Sequence, residues 1–220
     1  MRLYLASTSP ARLALLRAAG IEPVVLPSSV DEDAAVAAAE RAGGPLSPHD
    51  MVLLLARAKA EAVASVTPDL DGFVLGGDSA FELDGAVFGK PHLPEVARER
   101  WLAQRGRTGL LHSGHWLVDA RSRQPEGGAP ARSGQASRGT GAVATASVTF
   151  AADITDHEID AYIATGEPLE VAGAFTIDSL GGPFIERIDG DPSTVVGLSL
   201  PTLRGLLRRA GVALPDLWNR

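Results

Sequence analysis

The pattern of apolar and polar positions predicts strands and helices in alternation along the chain. Short apolar runs, typical of buried strands, occur at residues 3–6, 24–26, 73–75, 112–120, 143–148 and 184–188. Segments with apolar residues at helical spacing begin near residues 10, 48, 94, 155 and 201. Residues 172–175, 190–191 and 195–197 predict short strands and turns. Such alternation is typical of an α/β domain, and we expect one domain over residues 1–220.

The first predicted helix has clear boundary signals. Ser9 suits the N-cap, Pro10 the first turn and Gly20 the end of the helix. A strand that passes through small polar residues into a helix N-terminus presents free N–H groups and the positive end of the dipole, which favour phosphate. Ser7, Ser9 and Arg12 would then contact an anion. The alternative is that the two serines only cap the helix.

The longest predicted helix begins at a pattern that resembles a capping box, with Ser47 as the N-cap and Asp50 three residues later. Lys59 lies near the edge of its apolar stripe. The stripe is formed by Met51, Leu54, Leu55, Ala58 and Ala62.

A hairpin is predicted after the apolar run at residues 73–75. That strand is expected to end in Gly76-Gly77-Asp78, and the Asp-Gly pair at residues 84–85 is a strong two-residue turn signal. With this turn, Ser79 opposes Lys90, so Asp78 and Lys90 become near neighbours at the open end. Residues 85–91 are not a P-loop, because the spacing is one residue short and proline replaces the Ser or Thr that binds magnesium.

Residues 121–141 form a stretch rich in Arg, Gly, Ser, Pro and Gln with little to bury. We interpret this stretch as a mobile hairpin loop within one domain, because a strand-like segment follows it directly. A linker between two domains is the alternative.

Composition excludes several classes of protein. The chain has no cysteine, which excludes disulfide frameworks, cysteine-ligated zinc and a thiolate nucleophile. A net charge of -7 argues against binding a nucleic-acid polymer, although a few local cations suffice for a small anion. No apolar run of membrane-spanning length exists, and we expect a soluble, cytoplasmic protein without a membrane partner.

Lysine is rare in this chain. Of 20 basic residues only Lys59 and Lys90 are lysine, and the rest are arginine. Their retention indicates sites that need a compact, mobile charge, with chance as the alternative explanation.

The candidate chemistry is hydrolysis of a phosphate anhydride. It combines the acids Asp78, at a predicted strand end, and Glu32, in a polar connection, with the cations Arg12, Lys59 and Lys90. Cations and a metal would neutralise phosphoryl charge, and a carboxylate would orient or deprotonate water. The acidic triplet at residues 31–33 is alternatively plain solvated surface.

Other catalytic classes lack support. The chain has no Gly-x-Ser-x-Gly elbow and no His-Glu-x-x-His motif, and His157 is expected at an exposed helix start. His112 and His115 are three residues apart in a strand, so they point to opposite faces and do not form a metal pair.

Several segments resemble the Maf family in order and spacing, over nearly the whole chain except the 121–141 stretch. They are residues 5–12, 56–60, 77–79, 89–91, 167–168, 172–175, 190–191 and 195–201. The resemblance implies an elongated α/β fold with a mixed sheet akin to inosine triphosphate pyrophosphatases, a nucleotide-binding cleft, a divalent metal (Mg²⁺ or Mn²⁺) and a homodimer. It also implies hydrolysis of a nucleoside triphosphate to monophosphate and pyrophosphate, as by a nucleotide diphosphatase.

The resemblance also implies roles for individual residues. Asp78 would be the catalytic acid with Lys59 and Lys90 beside it, and Glu32 would share a metal with Asp78. Ser7, Ser9, Arg12 and Asp178 would bind substrate.

Two positions depart from the family pattern. Ala11 stands where many members have the first arginine of a pair, which leaves Arg12 alone. Asp178 stands where the thymidine and uridine triphosphate branch has glutamine. An ionised carboxylate accepts but cannot donate a hydrogen bond, so Asp178 favours cytosine or guanine-type bases.

Two other functions stay open at this point. The family has been associated with inhibition of cell division, so a nucleotide-binding regulator without turnover is the main alternative. A structural module whose charges merely pair on the surface is the other.

Overall fold

A computed structural model describes residues 1–67, 69–121 and 139–219 of the chain. These residues form seven strands, seven α-helices and four short 3-10 turns. The strands are β1 (Arg2–Leu5), β2 (Val24–Val25), β3 (Gly72–Leu83), β4 (Ala86–Phe88), β5 (Thr108–Asp119), β6 (Gly139–Phe150) and β7 (Ile185–Asp189). The helices are α1 (Pro10–Ala18), α2 (Glu32–Gly43), α3 (Pro48–Val66), α4 (Pro94–Gln104), α5 (Asp156–Ala164), α6 (Pro192–Val196) and α7 (Leu200–Arg209). The predicted α/β class is confirmed.

One mixed sheet joins all seven strands. Its order is β2-β1-β3-β5-β6-β7, and β4 pairs with β3 outside this path. β1 runs parallel to β2 and β3, whereas the remaining pairs are antiparallel.

The sheet contains a gap along one edge of β3. β1 pairs with β3 up to Leu75, and β4 pairs with it again only from Phe81. β5 occupies the other edge throughout this stretch. Five residues of β3, numbers 76–80, therefore have no strand on the gap side within the described chain, and Asp78 lies at their centre.

Successive residues of β3 point to opposite faces of the sheet. Asp78 contacts Lys59 of α3 on one face, and Ser79 contacts Arg12 of α1 on the other. The gap therefore brings groups from both faces of the sheet to one place.

The predicted end of the first strand at Asp78 is wrong, and so is the predicted pairing at the open end of the hairpin. β3 continues through Asp78 to Leu83. The Asp84-Gly85 turn is confirmed, with φ of 51° and 80° at the two residues, but pairing with β4 ends at Phe88. Lys90 consequently lies beyond the ladder and does not oppose Ser79.

The predicted apolar stripe of the longest helix is also wrong. Only Leu55 of the five predicted residues is buried; the buried face of α3 consists of Val52, Leu55, Ala56, Lys59, Ala60 and Val63. The helix backbone approaches two sheet glycines: a Cβ at Gly76 would lie 2.0 Å from the Ala56 carbonyl oxygen, and one at Gly114 would lie 2.2 Å from that of Val52. This close approach sets the rotation of α3 and places Lys59 within its buried face.

Four further segments differ from the sequence predictions. The acidic triplet is not a loop, because Asp31 caps α2 and Glu32 is its first residue. Residues 172–174 form a 3-10 turn, and residues 192–196 form α6. β6 begins at Gly139, so residues 139–141 of the predicted 121–141 loop belong to a strand. Residues 122–138 of that predicted loop lie outside the described chain.

Candidate active site

A cleft of about 740 Å³ opens at the gap beside β3. Its lining includes all eight residues singled out from the sequence, which are Ser7, Ser9, Arg12, Glu32, Lys59, Asp78, Lys90 and Asp178. The structure therefore brings together residues from the β1–α1 connection, α1, α2, α3, β3 and two later loops.

Arg12 is held in a fixed orientation at one end of this cleft. It is 8% exposed, and its Nε donates to the Gly197 carbonyl at 2.8 Å. Nη1 donates to Ser7 Oγ at 3.1 Å and Nη2 to Ser79 Oγ at 3.0 Å. Burial lowers the pKa of Arg12, opposed by Asp78 and Glu32, but a guanidinium stays charged in proteins.

The two serines of the first turn have different roles. Ser9 is the N-cap of α1, and its hydroxyl accepts from the Arg12 backbone N–H at 3.4 Å. Ser7 Oγ accepts from the Ser9 N–H and from Arg12. The capping interpretation therefore holds for Ser9, while Ser7 orients the arginine side chain.

Lys59 joins the two acids of the site. Its Nζ lies 2.7 Å from Asp78 Oδ1 and 2.9 Å from Glu32 Oε1. The partner of Asp78 is thus Lys59 rather than Lys90. Burial raises the pKa of Asp78, although Lys59 and Arg12 oppose this shift.

Lys90 is exposed and lines the same cleft. Arg100 donates to the carbonyl of Gly89 next to it and lies over the Phe88 ring. His92, two residues later, has a φ of 59° and its N–H donates to the Leu169 carbonyl at 3.0 Å. These contacts hold the chain on both sides of Lys90, which itself lines the cleft.

A buried serine relay, which the sequence analysis missed, supports Arg12. The hydroxyl of Ser113 donates to the Thr194 carbonyl at 2.9 Å, so its oxygen accepts from the Ser79 hydroxyl, also at 2.9 Å. Ser79 in turn accepts from Arg12. Ser113 is 0% exposed, and only the pairing of β3 with β5 brings it beside Ser79.

The carboxylates of Glu32 and Asp78 fit a divalent cation whose remaining ligands come from the substrate. Magnesium is commonly held by one or two carboxylates together with phosphate oxygens. Here two carboxylates converge on the Lys59 ammonium group. No group of three or more His, Cys, Asp or Glu side chains suited to a metal occurs within the described ranges, so phosphates would have to complete the coordination.

Another part of the cleft wall is apolar. It is formed by Leu111, Phe175, Ile177, Val195 and Val196. Thr176 and the exposed Asp178 are its polar members. Trp101 and Gln104 of α4 donate to the carbonyls of Ala174 and Gly173 at 2.8 and 2.7 Å, which fixes the turn that precedes Phe175.

The two strand histidines have separate structural contacts. His112 contacts Glu82 and Thr145, each at 3.0 Å. His115 is 0% exposed and its Nε2 accepts from the Ser199 N–H at 2.8 Å. Burial lowers the pKa of His115 to about 4, so this ring is neutral at pH 7 and serves packing.

Within residues 1–67, 69–121 and 139–219, none of the helices combines the length and the apolar character that a membrane span requires.

Comparison with known proteins identifies the family. A profile of the Maf-like protein family matches residues 2–210. A relative from Leifsonia xyli subsp. xyli (strain CTCB07), named nucleoside triphosphate pyrophosphatase, is 68% identical, with 100% of this chain and 98% of the relative covered. One of the same name from Salinispora tropica is 51% identical, with 100% and 88% covered. Among solved structures, the Staphylococcus aureus Ham1 protein is similar over 69% of this chain and 73% of its own, at 16% identity and a TM-score of 0.39. With residues 2–210 matched by the family profile, the chain belongs to the Maf-like protein family.

Proposed function

We propose that this protein is a nucleoside triphosphate pyrophosphatase that hydrolyses the bond between the α- and β-phosphates. One observation carries the proposal: Asp78, Lys59, Glu32 and Arg12 meet in a single cleft at the gap in the sheet. This reaction needs cations that neutralise phosphoryl charge and a carboxylate that orients and deprotonates water. The names of the relatives agree with it.

Each charged group has a distinct role in the proposed reaction. Asp78 orients the attacking water and accepts its proton, and Lys59 keeps that carboxylate in place through their 2.7 Å contact. Arg12 and the N-terminus of α1 bind phosphate oxygens, and Lys90 neutralises charge from the exposed side of the cleft. Water adds to the α-phosphorus, the bond to the bridging oxygen breaks, and pyrophosphate leaves.

A divalent cation, Mg²⁺ or Mn²⁺, belongs to this proposal, with Glu32 and Asp78 as its protein ligands. When bound, it supplies neutralisation of phosphoryl charge. We also propose that the protein acts in the cytoplasm and as a homodimer, both on family resemblance alone.

Asp178 bears on the base that is accepted. Its exposed carboxylate lines the cleft next to Ile177 and offers only acceptors while ionised. We therefore favour bases that present amino or imino donors, cytosine or guanine, over uracil and thymine.

The test is a panel of canonical and modified nucleoside triphosphates incubated with the protein and Mg²⁺ or Mn²⁺, with chromatography of the products. The proposal predicts monophosphate and pyrophosphate, and loss of both in Asp78→Asn by about 10²- to 10⁴-fold, the usual contribution of positioned proton transfer. Binding across the panel without turnover would instead favour a nucleotide-binding regulator. A strong preference for uridine triphosphate would contradict the role given to Asp178.

A further inference from the structure

Glu167 makes an unusual number of hydrogen bonds for a partly exposed carboxylate. Oε1 accepts from Tyr162 Oη at 2.9 Å, from the Gly181 N–H at 3.2 Å and from the Thr176 hydroxyl. Oε2 accepts from Ser179 Oγ at 2.7 Å and from the Leu180 N–H at 3.3 Å. One side chain therefore binds three hydroxyl groups and two backbone N–H groups.

These contacts close the loop at residues 176–181. Thr176 begins the loop, and the N–H group of Gly181 ends it, so the carboxylate ties its two ends together. The closure is tight, because a Cβ on Gly181 would lie 2.6 Å from the Thr176 carbonyl oxygen and 2.7 Å from Tyr162 Oη. Ile177 and Asp178 lie between the tied ends, and both line the cleft.

The carboxylate is ionised in this setting. Partial burial acts to raise the pKa of Glu167, but the hydrogen bonds from Thr176, Ser179, Tyr162 and Leu180 together lower it to about 2. An ionised carboxylate is an acceptor on both oxygens, which matches the five donors around it.

The wall that carries this loop suits a nucleoside better than a phosphate. Phe175, Ile177, Val195 and Val196 offer apolar surface, and Asp178 would repel a phosphate. The cations Arg12 and Lys59 are anchored elsewhere, by Gly197, Ser79 and the two acids. Phosphate binding and nucleoside binding thus rest on separate hydrogen-bond networks.

We propose that Glu167 is a positioning residue that sets nucleoside binding by holding the 176–181 loop against the cleft, without a role in phosphate binding. The inference rests on the proposed function, since it assigns the nucleoside of that substrate to this wall. Glu167 does not itself line the cleft.

The test compares two ligands in Glu167→Gln and in the wild-type protein. Glutamine puts an N–H₂ group where a carboxylate oxygen faces backbone donors, so the loop loses its closure in either amide orientation. Calorimetry with cytidine, uridine and guanosine monophosphates is expected to show the tightest of the three binding about tenfold more weakly, while inorganic pyrophosphate changes less than about twofold. A parallel loss for both ligands, or no loss for either, would overturn the proposal.

Three further variants keep the test decisive if Glu167→Gln does not fold. Ser179→Ala and Tyr162→Phe each remove one donor, and both are expected to weaken the monophosphate selectively by a few-fold. Glu158→Gln is the matched control: its carboxylate accepts from the Thr155 N–H and hydroxyl at 2.7 and 2.8 Å in the capping box of α5, and both affinities should stay unchanged.

The measurement needs no turnover, so it separates the two claims. A wild-type protein that binds both ligands without hydrolysing any nucleotide contradicts the proposed activity and leaves the positioning role testable. A hydrolysing enzyme whose Glu167→Gln variant binds both ligands normally contradicts the positioning role alone.

Discussion

The two ends of the cleft are built differently. At the phosphate end, Arg12, Lys59 and Asp78 are each no more than 9% exposed. Arg12 donates to the Gly197 carbonyl, and Lys59 of α3 donates to Asp78 of β3. At the nucleoside end, Asp178 is exposed and lies on the 176–181 loop. Arg12, Lys59 and Asp78 are therefore held in place by burial and hydrogen bonds, whereas Asp178 depends on a loop held largely by one carboxylate. On the proposed roles, this difference predicts that hydrolysis and base preference can be altered by separate substitutions.

Among the variants that test this difference between the two ends, Arg12→Lys is expected to have the largest effect on KM. Lysine keeps the charge but cannot donate at once to Gly197, Ser7 and Ser79 as the guanidinium does. We expect KM for the triphosphate to rise by about 10- to 100-fold, with a smaller change in kcat. Arg17→Lys, at the exposed last turn of the same helix, is the matched control and should leave KM unchanged. An unaltered KM in Arg12→Lys would show that the guanidinium geometry does not matter.

A second prediction concerns the pH dependence of stability that arises from the buried residue His115. The pKa of His115 is lowered to about 4 in the folded protein, first by burial and then by Arg12, against an ordinary value of 6.5. The neutral ring therefore contributes stability that is fully present above pH 6.5 and is lost as pH falls towards 4. Between pH 7.5 and 5 we expect a loss of about 2 kcal/mol in the free energy of unfolding. Urea unfolding of wild type and His115→Gln at a series of pH values measures this loss. Between pH 7.5 and 5 the free energy of unfolding of the variant should fall by less than that of the wild type, and an equal fall in both would contradict the assignment.

The serine relay gives a smaller expected effect. Ser113→Ala leaves the Ser79 hydroxyl only the Gly197 carbonyl, 3.4 Å away, as an acceptor, so Arg12 loses part of its orientation. KM is expected to rise about five- to tenfold while kcat changes less, since one hydrogen bond contributes about 1 kcal/mol. Ser113→Thr, which keeps the hydroxyl, should restore KM. If Ser113→Ala lowers the melting temperature without any change in KM, the relay is structural only.

Much of the phosphate end could be predicted from the sequence because its signals are local. Ser9, Pro10 and Gly20 mark α1, and Gly20 has the expected positive φ of 83°. The rarity of lysine indicates functional sites at Lys59 and Lys90, and both residues line the cleft. The family resemblance named the remaining site residues, and all of them line the same cleft.

The rest depended on packing between distant segments. The sequence predicts the end of a strand at Gly76-Gly77-Asp78, yet a Cβ at Gly77 would lie 3.1 Å from Arg12 Nε and one at Gly76 would meet α3. These glycines allow close approach on both faces of a continuous strand. Likewise, Ser113 and Glu167 act through partners that only the strand register and the 176–181 loop bring to them. Ser113 lies outside the segments that resemble the family. Residues 167–168 are one of those segments, but the pattern does not indicate which loop Glu167 contacts.

The most direct test of the central claim is hydrolysis in water enriched with oxygen-18, followed by mass spectrometry of both products. Attack at the α-phosphorus, with Asp78 handling the water, predicts one heavy oxygen in the nucleoside monophosphate and none in pyrophosphate. Label in pyrophosphate would place the attack on the β-phosphorus and contradict the account. Release of labelled orthophosphate with a nucleoside diphosphate would show cleavage of the terminal phosphate, and it would likewise exclude the proposed reaction.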